Sequence, residues 1–133
     1  MVTLGPGSDW RPLARRGRTT SGPRVGQYTV ILQHFERLAV RSLSLSSETL
    51  LSSVIFIDEI GKMECCSQTF VGLVRQLFDS EKLGRIHIIA TIPSKSASLP
   101  LVRELLERSD TDHLIVTKSN RDQLKHHVLS KII

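Results

Sequence analysis

Residues 54–64 read VIFIDEIGKME: four apolar residues, two carboxylates, then a glycine and a lysine before a further glutamate. Val54 to Ile57 has the length and branching of a strand buried in a parallel sheet. It ends abruptly at Asp58 and Glu59. Two ionised groups at the end of a buried strand cost several kcal/mol to desolvate unless an opposite charge meets them, and a cation supplies that charge. In phosphoryl transfer a strand-end aspartate holds a magnesium ion, usually through its water, while a neighbouring carboxylate orients the attacking water. Asp58 and Glu59 suit those two roles. The same residues also allow a structural reading, in which Asp58 caps the turn and Glu59 pairs with Lys62, a surface ion pair contributing about 0–1 kcal/mol.

Outward from this stretch, strand and helix patterns alternate. Val25 to Leu32 alternates apolar and polar residues as a strand does, and Phe35, Leu38 and Ala39 then recur at helical spacing. Ser42 to Ser53 reads as a connection. Beyond the acidic pair, Phe70, Val71, Val74, Leu77 and Phe78 mark one helix face, Gly84 fits a stop, and Ile86 to Ile92 is a second buried strand closed by Pro93. Leu99 to Leu106 carries another helical stripe, His113 to Val116 reads as a third short strand, and Leu124, Val128 and Ile132 mark a last helix. Such alternation implies an α/β fold with a parallel sheet and flanking helices. Ligands bind such sheets at the carboxyl ends of the strands, which directs attention to Asp58, Glu59, Thr91 and Thr117.

The bulk properties agree with one domain of that class. The chain has 133 residues, 40% hydrophobic and 23% charged, an ordinary globular composition. Aromatic residues are only 5%, so the core is built mainly from Leu, Ile and Val. Five basic residues, Arg11, Arg15, Arg16, Arg18 and Arg24, concentrate the net charge of +5 in one N-terminal segment. That segment reads as a solvated loop or one wall of a nucleotide site; a basic nucleic-acid-binding module is the weaker alternative, because no nucleic-acid fold signature accompanies it. The two cysteines, Cys65 and Cys66, are adjacent and offer neither a disulfide framework nor zinc-ligand spacing. No apolar run approaches the roughly 18 residues of a membrane span, and the expected setting is the reducing cytoplasm without a membrane partner.

The continuation Ile60-Gly61-Lys62-Met63-Glu64 resembles the THEP1-type nucleoside triphosphatases, in which the Walker B strand runs directly into a DEIG-x-ME sequence. The resemblance extends to RVGQYTV at Arg24 to Val30, ATIP at Ala90 to Pro93 and VTKSNRDQL at Val116 to Leu124, in the same order. It implies a RecA-like P-loop sheet and magnesium-dependent hydrolysis of nucleoside 5′-triphosphates of the ATP, GTP, CTP and UTP class to diphosphate and phosphate. By the same resemblance Asp58 is the metal residue and Glu59 the water-activating residue. Thr91 falls where a polar sensor is often placed, and Asn120 and Arg121 lie where side chains reach base or ribose. Lys62 adds charge beside the phosphates. Each has a plainer reading: Thr91 is a β-former ending a strand, Lys62 is the partner of the acidic pair, and Asn120 and Arg121 are solvated while Thr117 or Ser119 caps the helix.

A P-loop needs G-x-x-x-x-G-K-[ST] between a strand and a helix, because its backbone N–H groups cradle the phosphates. Gly17 to Arg24, GRTTSGPR, copies the glycine spacing but places Pro23 where the lysine belongs and Arg24 where the hydroxyl belongs. The resemblance implies that the family's loop lies ahead of Met1, so the chain is expected to be a truncated form. It would comprise one partial P-loop domain, with residues 1–24 a loop or hairpin remnant and residues 25–133 a core carrying the Walker B strand. Without the loop the expected activity is impaired or absent, and the alternative function is a non-catalytic nucleotide-binding or regulatory fragment. Oligomeric state leaves no trace in the sequence.

Overall fold

The structure is a computed structural model that describes residues 12–17, 21–44, 54–80, 86–95 and 97–133. It begins with a small antiparallel sheet of three strands, β1 (Ala14–Arg16), β2 (Arg24–Val25) and β3 (Tyr28–Val30), with β3 in the centre. Val25 faces Tyr28 across a two-residue turn at Gly26–Gln27. Gly26 sits at φ 59°, a left-handed conformation open to glycine at no steric cost. The single strand expected over Val25 to Leu32 is therefore a hairpin, and the chain is already helical at Leu32. Alternation of apolar and polar residues reports strand faces but is blind to a reversal at a glycine.

Helix α1 (Leu32–Leu43) buries Phe35, Leu38, Ala39 and Leu43 along one stripe. Helix α2 (Gln68–Asp79) buries Phe70, Val71, Val74 and Leu77, the face that its spacing implies. The two helices meet through the rings of Phe35 and Phe70, whose centroids lie 5.2 Å apart in a tilted arrangement. Ser67 fixes the start of α2. Fully buried, its hydroxyl accepts the Phe70 N–H at 3.0 Å and donates at 2.7 Å to Glu36 of α1.

Strands β4 (Val54–Ile57) and β5 (His87–Ala90) form the parallel sheet, in the register Val54↔His87 to Ile57↔Ala90. Alternation puts Ile55, Ile57, Ile88 and Ala90 on the face that joins the core. The opposite face is open, with Phe56 71% exposed, so these strands are not buried on both sides as their apolar runs imply. Helix α3 (Pro100–Leu106), with proline in its first turn, adds Leu101, Val102 and Leu105 to the core. Arg75 of α2 donates two hydrogen bonds, each of 2.7 Å, to the Glu104 carboxylate of α3.

Helix α4 (Arg121–Ile132) buries none of its residues, and Leu124, Val128 and Ile132 are only half-covered. The strand expected over His113 to Val116 is irregular chain with Ile115 and Val116 exposed. No described strand lies beside it; the Ile115 carbonyl instead accepts a hydrogen bond from the Asn120 side chain. The expected stop at Gly84 and most of the connection from Ser42 to Ser53 lie outside the described residues, as do Arg11 and Arg18.

Candidate active site at the end of the parallel strands

The turn that follows β4 is pinned at both ends. Ile57 is buried and Ile60 has no exposed surface, so the sequence Ile-Asp-Glu-Ile drives two isoleucines into the core and leaves Asp58 and Glu59 exposed between them. One residue, immediately after the neighbouring strand β5, holds this arch. The Thr91 N–H donates to the Ile57 carbonyl at 3.0 Å, and the Thr91 carbonyl accepts the Ile60 N–H at 2.8 Å. The Thr91 hydroxyl accepts the Glu59 N–H at 2.8 Å and donates to Asp58 Oδ1 at 3.2 Å. Both expected acidic residues and the expected sensor threonine thus meet at one point.

Glu59 lies at φ 75°, the one described residue other than glycine with a positive φ. Left-handed backbone costs an L-residue about 1–2 kcal/mol, and such strain persists only where surrounding structure over-determines it. The hydrogen bond to Thr91 and the anchors at Ile57 and Ile60 provide that determination. A consequence is divergence: consecutive residues with opposite signs of φ do not repeat one strand's alternation, and the two carboxylates are presented as separate groups.

Beyond the arch, Gly61 starts a helical turn whose Cys65 N–H returns to the Gly61 carbonyl at 3.0 Å. A short 3-10 segment, Glu64–Cys66, follows. The Glu64 carboxylate reaches back to accept the Gly61 N–H at 3.1 Å. Burial, and then the nearby Glu59 charge, push the Glu64 carboxyl above its ordinary range. Burial also raises the Cys65 thiol to about 11, with Glu64 adding to the effect, and Cys66 shifts the same way. Neither cysteine is an activated nucleophile.

Lys62 is exposed and forms no ion pair with Glu59 or Asp58 among the described residues, which removes the plain salt-bridge reading of the motif. Asn120 is committed locally. Its Oδ1 accepts the Thr117 N–H at 2.7 Å, its Nδ2 donates to the Ile115 carbonyl at 2.9 Å, and its own N–H donates to the Thr117 hydroxyl at 3.3 Å. Thr117 and Asn120 therefore close the turn just ahead of α4 reciprocally, while the helix itself has no side-chain cap bond at its N-cap Asn120, which is not a solvated neighbour. Arg121 is exposed, with only a 3.8 Å approach to Asp122. Arg15, Arg16 and Arg24 are exposed on the antiparallel sheet.

No group of three or more metal-ligating side chains occurs among the described residues. A donor set of one or two exposed carboxylates matches magnesium, which keeps several waters and draws further ligands from substrate phosphates, and does not match a closed zinc site. No helix among the described residues is long and apolar enough to cross a membrane. Sequence reasoning missed Gly61 and Glu64 as parts of this site, although the spacing of a residue three places after a helix start is the signal that finds such a pair.

A family model described as NTPase matches residues 2–129. The chain is 39% identical over 107 residues to the nucleoside-triphosphatase THEP1 of Thermotoga maritima, covering 80% of this chain and 57% of that protein. It is 46% identical over 105 residues to the human cancer-related nucleoside-triphosphatase, covering 76% of this chain and 53% of that one. The solution structure of a human cancer-related nucleoside triphosphatase superposes with a TM-score of 0.69 at 39% identity, over 91% of this chain and 66% of that chain. The chain thus spans little more than half the length of these curated relatives.

Proposed function

This chain belongs to the NTPase family, and from that premise we propose that it carries the magnesium-holding and water-activating half of a nucleoside triphosphatase. The observation that carries the reading is the Thr91 hydroxyl, which binds Asp58 Oδ1 and the Glu59 N–H at once. The Asp58 carboxylate and the Glu59 backbone are thereby held by one hydroxyl, while the Glu59 carboxylate stays unengaged, as two separate jobs require.

In the proposed reaction, water attacks the terminal phosphorus of a nucleoside triphosphate, the bond to the bridging oxygen breaks, and the nucleoside diphosphate and inorganic phosphate leave. Glu59 accepts the proton of the attacking water; its exposed carboxylate has no hydrogen-bond or ion-pair partner among the described residues, which leaves it open to that water. Asp58 would hold the magnesium ion, which when bound neutralises charge on the phosphates. Thr91 keeps Asp58 and Glu59 in register, and Arg121 and Lys62, both exposed cations, supply contacts to base, ribose or phosphate. Asn120 contributes by fixing the helix start that presents Arg121. This division of labour is the Walker B half of a P-loop enzyme, with nucleoside triphosphates of the ATP, GTP, CTP and UTP class as substrates.

A phosphate cradle of the form G-x-x-x-x-G-K-[ST] does not occur within the 133 residues. That observation favours a second reading for the chain taken alone, a nucleotide-binding fragment without turnover, since losing the cradle removes phosphate binding and transition-state charge stabilisation together. Phosphate release with magnesium separates the two. We expect none from the 133 residues alone and release once a strand, P-loop and helix segment is fused ahead of Met1. Turnover by the unfused chain would refute the need for the cradle, and an inactive, folded fusion would refute the enzymatic half.

A further inference from the structure

Glu64 has no role in the mechanism above, yet its carboxylate and that of Glu59 converge on one bare carbon. A Cβ added at Gly61 would lie 2.8 Å from Glu59 Oε1, 2.9 Å from Glu64 Oε2 and 3.2 Å from Glu59 Cγ. Real Cβ atoms essentially never approach other atoms so closely, so both side chains occupy space that only glycine leaves open. The two carboxylates are not equivalent. Glu64 is half-buried and anchored on the Gly61 N–H at 3.1 Å, while the Glu59 carboxylate is exposed with no anchor of its own among the described residues. Backbone strain and the Thr91 hydrogen bond fix where the Glu59 side chain departs, but not where its carboxylate ends.

We propose that Glu64 is a positioning residue: held on the Gly61 amide, it bounds the space over Gly61 and so sets where the Glu59 carboxylate lies. The bond to Gly61 is the means, because it keeps the Glu64 side chain folded back over the turn when solvent and rotamer freedom would otherwise release it. The volume of the Glu64 side chain held there blocks Glu59 from folding further inward, leaving it directed to the side from which a water can be met. Gly61 is part of the same device, since any Cβ there displaces the oxygen that Glu64 confines. The significance of this placement rests on the water-activating role of Glu59, while the placement itself does not.

Amide and side-chain carboxyl NMR signals of the 133-residue chain test the placement without turnover. Glu64→Ala should move the Glu59 carboxyl carbon and amide signals by more than their linewidths and speed exchange of the Gly61 N–H about tenfold. Glu64→Gln keeps an acceptor oxygen of the same reach, and should leave the Gly61 exchange rate within about twofold of the parent and the Glu59 signals in place. Glu64→Asp, one methylene shorter, withdraws the acceptor from the Gly61 N–H and should move the Glu59 carboxyl signal as Glu64→Ala does, and it decides the matter where Glu64→Ala does not fold. Unmoved Glu59 signals in Glu64→Ala, or in Glu64→Asp where that variant alone folds, would overturn the proposal. Failure of the water-activating role is read separately, by phosphate release from Glu59→Gln.

Discussion

The backbone N–H of Glu59 donates a 2.8 Å hydrogen bond to the hydroxyl of Thr91, a residue 32 positions later in the sequence and immediately after the neighbouring strand. That bond joins the ends of β4 and β5 and supports a backbone conformation that a glutamate would otherwise leave. Removing only the hydroxyl is therefore informative. Thr91→Val keeps the shape but leaves the Glu59 N–H without its acceptor, at a cost of about 1 kcal/mol in stability. Thr91→Ser restores the acceptor and should restore stability and, in a form fused to a P-loop segment, phosphate release. Denaturant midpoints of the three proteins check the first part, and steady-state kinetics the second.

The left-handed Glu59 predicts an unusual substitution pattern at an exposed site. Glu59→Gly relieves backbone strain of about 1 kcal/mol but enlarges the freedom of the unfolded chain by a similar amount, so stability should stay within about 1 kcal/mol of the parent. Glu59→Val places a β-branched residue at positive φ and should cost about 2 kcal/mol or more. Equal midpoints for the two variants would contradict the strained conformation.

Glu64 gives the stability a defined pH dependence. Its carboxyl lies above the ordinary range in the folded chain, chiefly through burial and then through Glu59, so the folded state binds its proton more tightly than the unfolded state does. The contribution favours folding at low pH and is lost as pH rises from the ordinary carboxylate range through the raised value. Glu64→Gln abolishes that titration. The variant should gain stability relative to the parent as pH rises through this window, and the gap should close below it; melts across the window check the sign.

Ser67 ties α1 to α2 through a single fully buried hydroxyl. Ser67→Ala loses the cap on the Phe70 N–H and leaves Glu36 without that donor, for an expected cost of about 1–2 kcal/mol. Ser67→Thr should recover most of the cap, and chemical denaturation of both variants measures the difference.

The acid pair and its neighbours were legible because VIFIDEIGKME states a physical problem, a strand ending in unpaired charge, and ATIP supplies the threonine that meets it. The stripes of α1, α2 and α3 were legible for the same reason that they are buried, the recurrence of apolar residues on one face. The hairpin around Gly26 was not, because residues on both sides of a two-residue turn continue the same alternation. His113 to Val116 looks like a strand by composition, but a strand needs a partner, and its Ile115 carbonyl is taken by Asn120. The same bond commits the Asn120 side chain locally, a pairing that only the fold discloses. Glu64 was hidden by distance along the motif: four residues separate it from Glu59, and only the fold over Gly61 brings the carboxylates together.

Phosphate release measured beside nucleotide binding tests the central claim most directly, in the chain fused to a P-loop segment, with magnesium, for the parent and Glu59→Gln. Loss of the water-activating carboxylate should lower turnover at least about a hundredfold while nucleotide affinity stays within about threefold. Unchanged turnover in Glu59→Gln, with binding intact, would contradict the assignment of Glu59 and with it the reading of this strand end as a catalytic site.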